Sequence, residues 1–375
     1  MALRRRTRVA HVTSAHSALD VRIFEKEARA LADAGYDVHV VGQHTGPATR
    51  QGVEIHALRS DSSRLWRMLA VPVRLLLRVR RLQPAICQLH DPELIPIGVI
   101  LKLMGFRVIY DAHEDLGLQV LNKGWIPRPI RRTASKFARF LERMAARRFD
   151  AVVAATPGVA ANYPAEKVTV IFNYPRLADF VGHGLAHKDR EPCVAYVGAV
   201  AETRGALEMA EAIDLLPAEA NARLVVAGEL QIGSETWERI ERQDRVEYQG
   251  VIDRVGVQRL LGSARLGLVV LHPVANYLES YPVKLFEYMA AGLPVVASDF
   301  PLWRSIITEA GCGLLVNPRD AGEIASAIGD LLADPARAEE MGRRGRVAAE
   351  AAFSWDAEAG KLVDLYDRLA RVATA

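Results

Sequence analysis

Short β-branched and apolar runs alternate with helix-spaced stretches along the whole chain. In the first half the runs fall at 8–13, 38–41, 53–57, 85–89, 108–111, 151–155 and 168–171, and each has the length and composition of a strand. Between the first two, Ile23, Phe24, Ala28 and Leu31 recur at helical spacing, and Gly35 supplies a stop. The alternation lapses in a polar, glycine-bearing stretch at 181–191, which reads as a linker. It resumes with strands at 194–197, 223–227, 246–249, 266–271, 294–297 and 313–316. Such alternation predicts an α/β chain of two doubly wound, Rossmann-like domains, each a parallel sheet with helices on both faces. The domains are expected at 1–180 and 192–355, with a C-terminal helix at 356–375 able to pack back on the first. Open parallel sheets bind ligands beyond the carboxyl ends of their strands, so two facing sheets would share one cleft.

Composition adds limits to this picture. At 375 residues the chain exceeds what one ordinary core holds. No apolar run approaches the length of a membrane span, and the apolar stretch before His11 is too short for a signal peptide. Cys87, Cys193 and Cys312 are far apart, each in or beside an apolar run. Reduced, buried thiols in a cytoplasmic protein are expected, and no metal cluster. The net charge of +3 conceals a split. Residues 1–180 hold 28 Lys/Arg against 16 Asp/Glu, whereas the remainder holds 20 against 29. A basic first half suits an anionic membrane surface better than nucleic acid, because no nucleic-acid reading module is recognisable.

The segment from Glu279 to Asp299 is the most informative. Pro282 fits the first turn of a helix, where its missing N–H is not needed, and Gly292 with Pro294 ends that helix. Glu279 then lies in the loop before the helix and Glu287 on its second turn. The free N–H groups of Ser280, Tyr281 and Val283, on either side of Pro282, form an anion site for a diphosphate. On spacing alone, the segment fits better a helix with one solvated and one partly buried Glu.

Its wording resembles the signature of family 4 glycosyltransferases of the GT-B fold: two glutamates separated by seven residues, a small-residue helix end and a Gly-x-Pro-Val-Val strand. Further matches follow the family's order. The stretch from Tyr196 to Gly205 looks like its loop after the first strand of the nucleotide domain, Val246–Asp253 like its base-binding turn, and His90-Asp91-Pro92 like its catalytic histidine segment. The resemblance implies a retaining hexosyltransferase using a GDP- or UDP-linked sugar, without metal or other cofactor. It implies that Glu279 contacts the donor sugar, Glu287 the ribose, and Arg204, with Gly198 and Gly205, the diphosphate. Val251 would lie at the base and His90 beside the reacting sugar. Where the family often has a second cation after the first glycine, this chain has Ala199, so the diphosphate would lean harder on Arg204 or recruit Lys284.

In the first half, His90-Asp91 and His113-Glu114-Asp115 project from strand ends, where a doubly wound domain meets its ligand. Of these, Asp91, His113 and Glu114, with Asp20 and Arg22, are the candidate acceptor contacts, although an ion pair within the domain explains Asp20 and Arg22 at least equally well. The family's glycine pair after the first strand is replaced by Ser14-Ala15-His16-Ser17-Ala18, which leaves acceptor contacts there open. Two basic stripes flank apolar residues: Arg64, Arg67, Arg74, Arg78 and Arg81 on a helix that Pro72 is expected to kink, and Arg132, Lys136, Arg139, Arg143 and Arg147 beside Phe137, Phe140, Leu141 and Met144. They suit either peripheral binding to anionic lipid, and so a lipid-linked or polysaccharide-precursor acceptor, or ordinary helices that bury the apolar side. An epimerase or phosphorylase of the same fold, or a silent sugar-nucleotide binder, are the rival readings.

Overall fold

The computed structural model describes residues 7–58, 64–113, 116–122, 127–181 and 187–372, and the apolar runs in them become two sheets. The first contains β1 (Arg8–Ser17), β2 (Asp37–Gln43), β3 (Ala48–Arg50), β4 (Val53–Leu58), β5 (Ile86–Leu89), β6 (Arg107–Ala112), β7 (Ala151–Ala154) and β8 (Val168–Val170). Their order is β3-β4-β2-β1-β5-β6-β7-β8, parallel except for β3. The second contains β9 (Cys193–Val197), β10 (Arg223–Ala227), β11 (Val246–Tyr248), β12 (Leu266–Val269), β13 (Val295–Ser298) and β14 (Gly313–Val316), in the order β11-β10-β9-β12-β13-β14 and parallel throughout.

Each run read as a strand is one. The pattern missed β3, a three-residue edge strand paired antiparallel to β4. It carries no apolar run, and is set by the turn at Gln51 and Gly52, both at positive φ as a tight hairpin requires.

The chain divides into Met1–Asn173 with Trp355–Ala375, and Tyr174–Ser354. The boundary therefore falls at 173/174 and not in the expected linker. Residues on the expected linker's flanks belong to the second unit by their contacts. Tyr174 packs edge-on against Phe286, Arg254 pairs with Asp179 and stacks over Phe180, and the His187 ring meets the Arg265 carbonyl at 3.2 Å. Residues 182–186 lie outside the described residues.

The helix Trp355–Val372 completes the first unit. Trp355, Leu362, Leu365 and Tyr366 are buried among Ile23, Phe24, Leu31, Val38 and Ile109. In each sheet the strand order reverses at the first strand, so β1 and β5 in one unit, and β9 and β12 in the other, send their following loops to opposite sides. The carboxyl ends of these strand pairs are where a doubly wound sheet binds its ligand.

Candidate functional site

In the second unit, β9 runs into Gly198, whose φ of +129° favours glycine. A Cβ there would meet Lys284 Nζ at 3.0 Å and an Arg204 nitrogen at 3.7 Å, so two cations converge on this backbone. Arg204 ends a short 3-10 turn, Glu202–Arg204, and lies 5.8 Å from the Tyr277 ring. The chain must then pass close to β12. Gly205 has a φ of +73°, and a Cβ would stand 2.2 Å from the Val270 carbonyl oxygen. Lys284 sits in the first turn of the helix Val283–Ala290, capped by Pro282, and Gly292 ends it in the left-handed conformation.

Lys284 is the residue that spacing undervalued. It is no solvated helix residue: it is buried, its ammonium lies 3.6 Å from the Tyr196 ring centroid, and it has no hydrogen-bond acceptor among the described residues. Burial, and next the neighbouring Arg204 charge, push its pKa well down. A buried ammonium without an acceptor is costly unless an anion joins it. The ammonium thus comes, from another element, to the backbone of Gly198, next to Ala199.

Glu279 is exposed at the end of the short helix Ala275–Leu278, and Ser280, Tyr281, Pro282 and Val283 are half-buried. Ser280 is fixed by its carbonyl, which accepts from the Trp303 indole at 2.8 Å. Glu287 is buried and ion-paired with Arg254, which also holds Asp179 at 3.1 Å. No sequence spacing revealed that partner, 33 residues away. Val251 is exposed just after Gly250, in the turn that follows β11.

The first unit holds a buried polar network. Arg22 contacts Asp111 at 3.0 Å, Glu27 at 3.0 Å and the Ile171 carbonyl at 3.2 Å. Gln88 donates to Glu27 and Asp111 and accepts from the Tyr366 hydroxyl at 2.7 Å. Burial, opposed above all by Arg22, leaves Asp111 well below the usual carboxylate range, while burial and the Asp111 charge push Glu27 up. Arg22 is thus enclosed and engaged on all sides, which removes it from the acceptor contacts. Asp20 is also structural: its carboxylate caps the π-helix Val21–Ala28, accepting from the Arg22 and Ile23 N–H groups.

His90 does project from β5, but it is fully buried. One ring nitrogen lies 2.9 Å from His11 and the other 3.0 Å from Asp111. It belongs to the interior network: Nδ1 lies beside Asp111 without a hydrogen-bond partner among the described residues, and burial closes the ring to the surface. The imidazole that reaches the surface is His16, in the glycine-less loop, with its side chain 43% exposed. Asp91, almost wholly buried, pins His16 Nδ1 at 2.7 Å and accepts from Thr13 and from the Ser14 and Ala15 N–H groups. Burial would raise the Asp91 pKa, but these donors outweigh it and hold the carboxyl well below its ordinary value. The same hydrogen bond raises His16. Half-buried His113, edge-on to His16, is lowered to about 4 by burial, only partly offset by Asp111. Glu114 lies outside the described residues.

The second basic stripe is the helix Arg128–Ala146. Its inward side is the polar one: Ser135 donates to the Gly117 carbonyl and Glu142 accepts from Tyr110. Phe137 is 60% exposed and Phe140 58%, beside exposed Ile130, Leu141 and Met144. The helix Arg64–Leu82 runs on through Pro72 and does bury Val71, Leu75 and Val79. Side chains 64–70 are outside the described residues.

The two α/β units thus carry cations at the switch point of one sheet and an imidazole–carboxylate pair at that of the other. Residues 21–173 match the family model for the glycosyl transferase 4-like domain, and residues 182–348 that for glycosyl transferases group 1. The chain belongs to the family 4 glycosyltransferases and has the GT-B fold. It is 24% identical over 302 residues to an MMP alpha-(1->4)-mannosyltransferase of Mycolicibacterium hassiacum, covering 76% of this chain and 71% of the relative. Among solved structures it is similar to sucrose-phosphate synthase of Thermosynechococcus elongatus, with TM-score 0.77 and 22% identity over 99% of this chain and 100% of that one. Anabaena HepE in complex with UDP and glucose gives TM-score 0.73 at 12% identity, over 96% and 100% of the two chains.

Proposed function

We propose that this glycosyltransferase moves a hexose from a UDP- or GDP-linked donor to a membrane-associated acceptor, with retention of configuration and without a catalytic metal. The carrying observation is the Lys284 ammonium, buried without an acceptor and flanked with Arg204 on Gly198. A diphosphate placed there satisfies both cations, and the helix start at Val283 adds partial positive charge. Arg204 and Lys284 then supply the charge stabilisation that a leaving diphosphate needs. Glu279 steadies the sugar hydroxyls, and Glu287, oriented by Arg254, holds the ribose. Acceptor attack on the face from which diphosphate leaves lets a phosphate oxygen take the proton. The HepE complex with UDP and glucose supports a nucleotide-sugar donor, and the mannosyltransferase relative supports a hexose as the group transferred.

On the acceptor side, His16 with Asp91, and His113, face the substrate, while His90 positions them from beneath. The exposed aromatic and basic face of Arg128–Ala146 supports an acceptor at an anionic membrane surface. Among the described residues no helix is long and apolar enough to cross a membrane. Thermal-shift titration with UDP, GDP and their glucose and mannose conjugates tests the donor. A ligand at a hundred times its Kd adds ~2.7 kcal/mol, and no response from any of them in metal-free buffer sinks the reading.

A further inference from the structure

A second cluster of ligating side chains lies on β2 and β4, at His39, Glu54 and His56, within the strands and away from the loops after β1 and β5. The parallel register sets His39 against Glu54 and Val41 against His56. Alternation along each strand therefore places His39, Glu54 and His56 on one face, with Asp37 two residues before His39. His39 Nδ1 stands 2.8 Å from His56 Nε2 and 3.4 Å from Glu54 Oε2, and the last two atoms are 3.9 Å apart.

We propose that these three side chains form a divalent transition-metal site of the zinc type. The point equidistant from the three atoms lies about 2.0 Å from each, the length of a Zn–N or Zn–O bond. The outer contacts also suit a metal. His39 Nε2 lies 3.1 Å from Asp37 Oδ1, which accepts its proton and leaves the Nδ1 lone pair pointing into the cluster. Asp37 is in turn fixed by Arg8 at 2.8 Å. A carboxylate behind a ligating imidazole sets its tautomer and raises its basicity. Without metal, His56 Nε2–H donates to His39 Nδ1. With metal, His56 takes its other neutral tautomer, so neither imidazole releases a proton.

The charge around the cluster is mixed. Arg8 and Arg78 act against a cation, and Arg8 is already neutralised by Asp37. Glu54 supplies the ligand charge and, 54% exposed, the way in, whereas the His39 side chain is 4% exposed and pre-set. The position, remote from the strand ends that bind substrate, makes the metal a clamp between β2 and β4, separate from glycosyl transfer.

The test uses the full chain, free of any polyhistidine tag and stripped with chelator. Calorimetric titration with Zn²⁺ is expected to show one equivalent, and Co²⁺ the intense visible bands of a tetrahedral site. Glu54→Gln and His56→Gln are expected to abolish both signals, and Asp37→Asn to weaken binding about tenfold or more. His113→Gln, in a different histidine cluster, leaves them unchanged. Circular dichroism confirms that each variant is folded, and Glu54→Gln alters an exposed side chain. No uptake by the wild type, uptake indifferent to Glu54→Gln, or loss in His113→Gln instead would each overturn the assignment.

Discussion

The buried Lys284 ammonium has no hydrogen-bond acceptor among the described residues, and this has two measurable sides. Lys284→Met removes the uncompensated ammonium, so the ligand-free protein should gain thermal stability. The same change removes a charge-assisted hydrogen bond to diphosphate, worth about 1.5–3 kcal/mol, so UDP or GDP should bind at least about tenfold more weakly. A variant that loses stability without losing nucleotide affinity would make Lys284 a packing residue. His16 gives a second test at this scale, because its pKa is raised by the hydrogen bond to Asp91. Its imidazole should titrate above the ordinary ~6.5 by NMR, and return towards it in Asp91→Asn. The pair contributes fully to stability below the unfolded value and loses that contribution as pH rises through the raised folded value. A midpoint at or below the ordinary value would remove the dyad from the acceptor side.

The helix Arg128–Ala146 inverts the usual relation between apolar stripe and core. It docks through Ser135, Glu142 and the small residues Ala145 and Ala146, and leaves Phe137, Phe140, Leu141 and Met144 outside. Basic residues on the same helix, Arg132, Lys136, Arg143 and Arg147, share the exposed surface. Replacing Phe137 and Phe140 together by Ser should leave stability within about 0.5 kcal/mol per site, since neither fills the core. It should sharply reduce co-sedimentation with vesicles containing anionic lipid. Vesicle binding unchanged by the pair, or indifferent to lipid charge, would count against a membrane surface. By contrast Arg64–Leu82, similar in composition, spends Val71, Leu75 and Val79 on the core.

On the scale of the molecule, the first unit is closed by residues that lie almost at the end of the chain. Tyr366 completes the hydrogen bonding of Gln88, the Tyr36 hydroxyl donates to Asp367 at 2.6 Å, and Glu358 accepts from the Phe172 N–H at 3.0 Å. Ending the chain after Ser354 uncovers the Ile23, Leu31 and Val38 side of the first sheet and leaves Gln88 without its hydroxyl donor. Hydrogen exchange should then show lost protection in β2 and β5, while β9, β10 and β12 keep theirs. Equal loss in both units would mean that they do not unfold separately.

All the strands but β3 were legible in the residues alone, because a short β-branched run bounded by glycine, proline or polar residues has one good use. The sequence by itself also determined the helix that starts at Pro282 and stops at Gly292, since backbone chemistry fixes both ends locally. Tertiary structure alone decided which charged groups are enclosed and by what. His90 and His113 both follow a strand, yet one lies within the network of Asp111 and His11 while the other borders His16. Glu287 meets Arg254 across 33 residues, and Lys284 meets the loop of Gly198 and Arg204 across about eighty. Periodicity reports how strongly a position avoids water; the partner that makes a buried charge tolerable comes from a distant segment, and no local spacing records it.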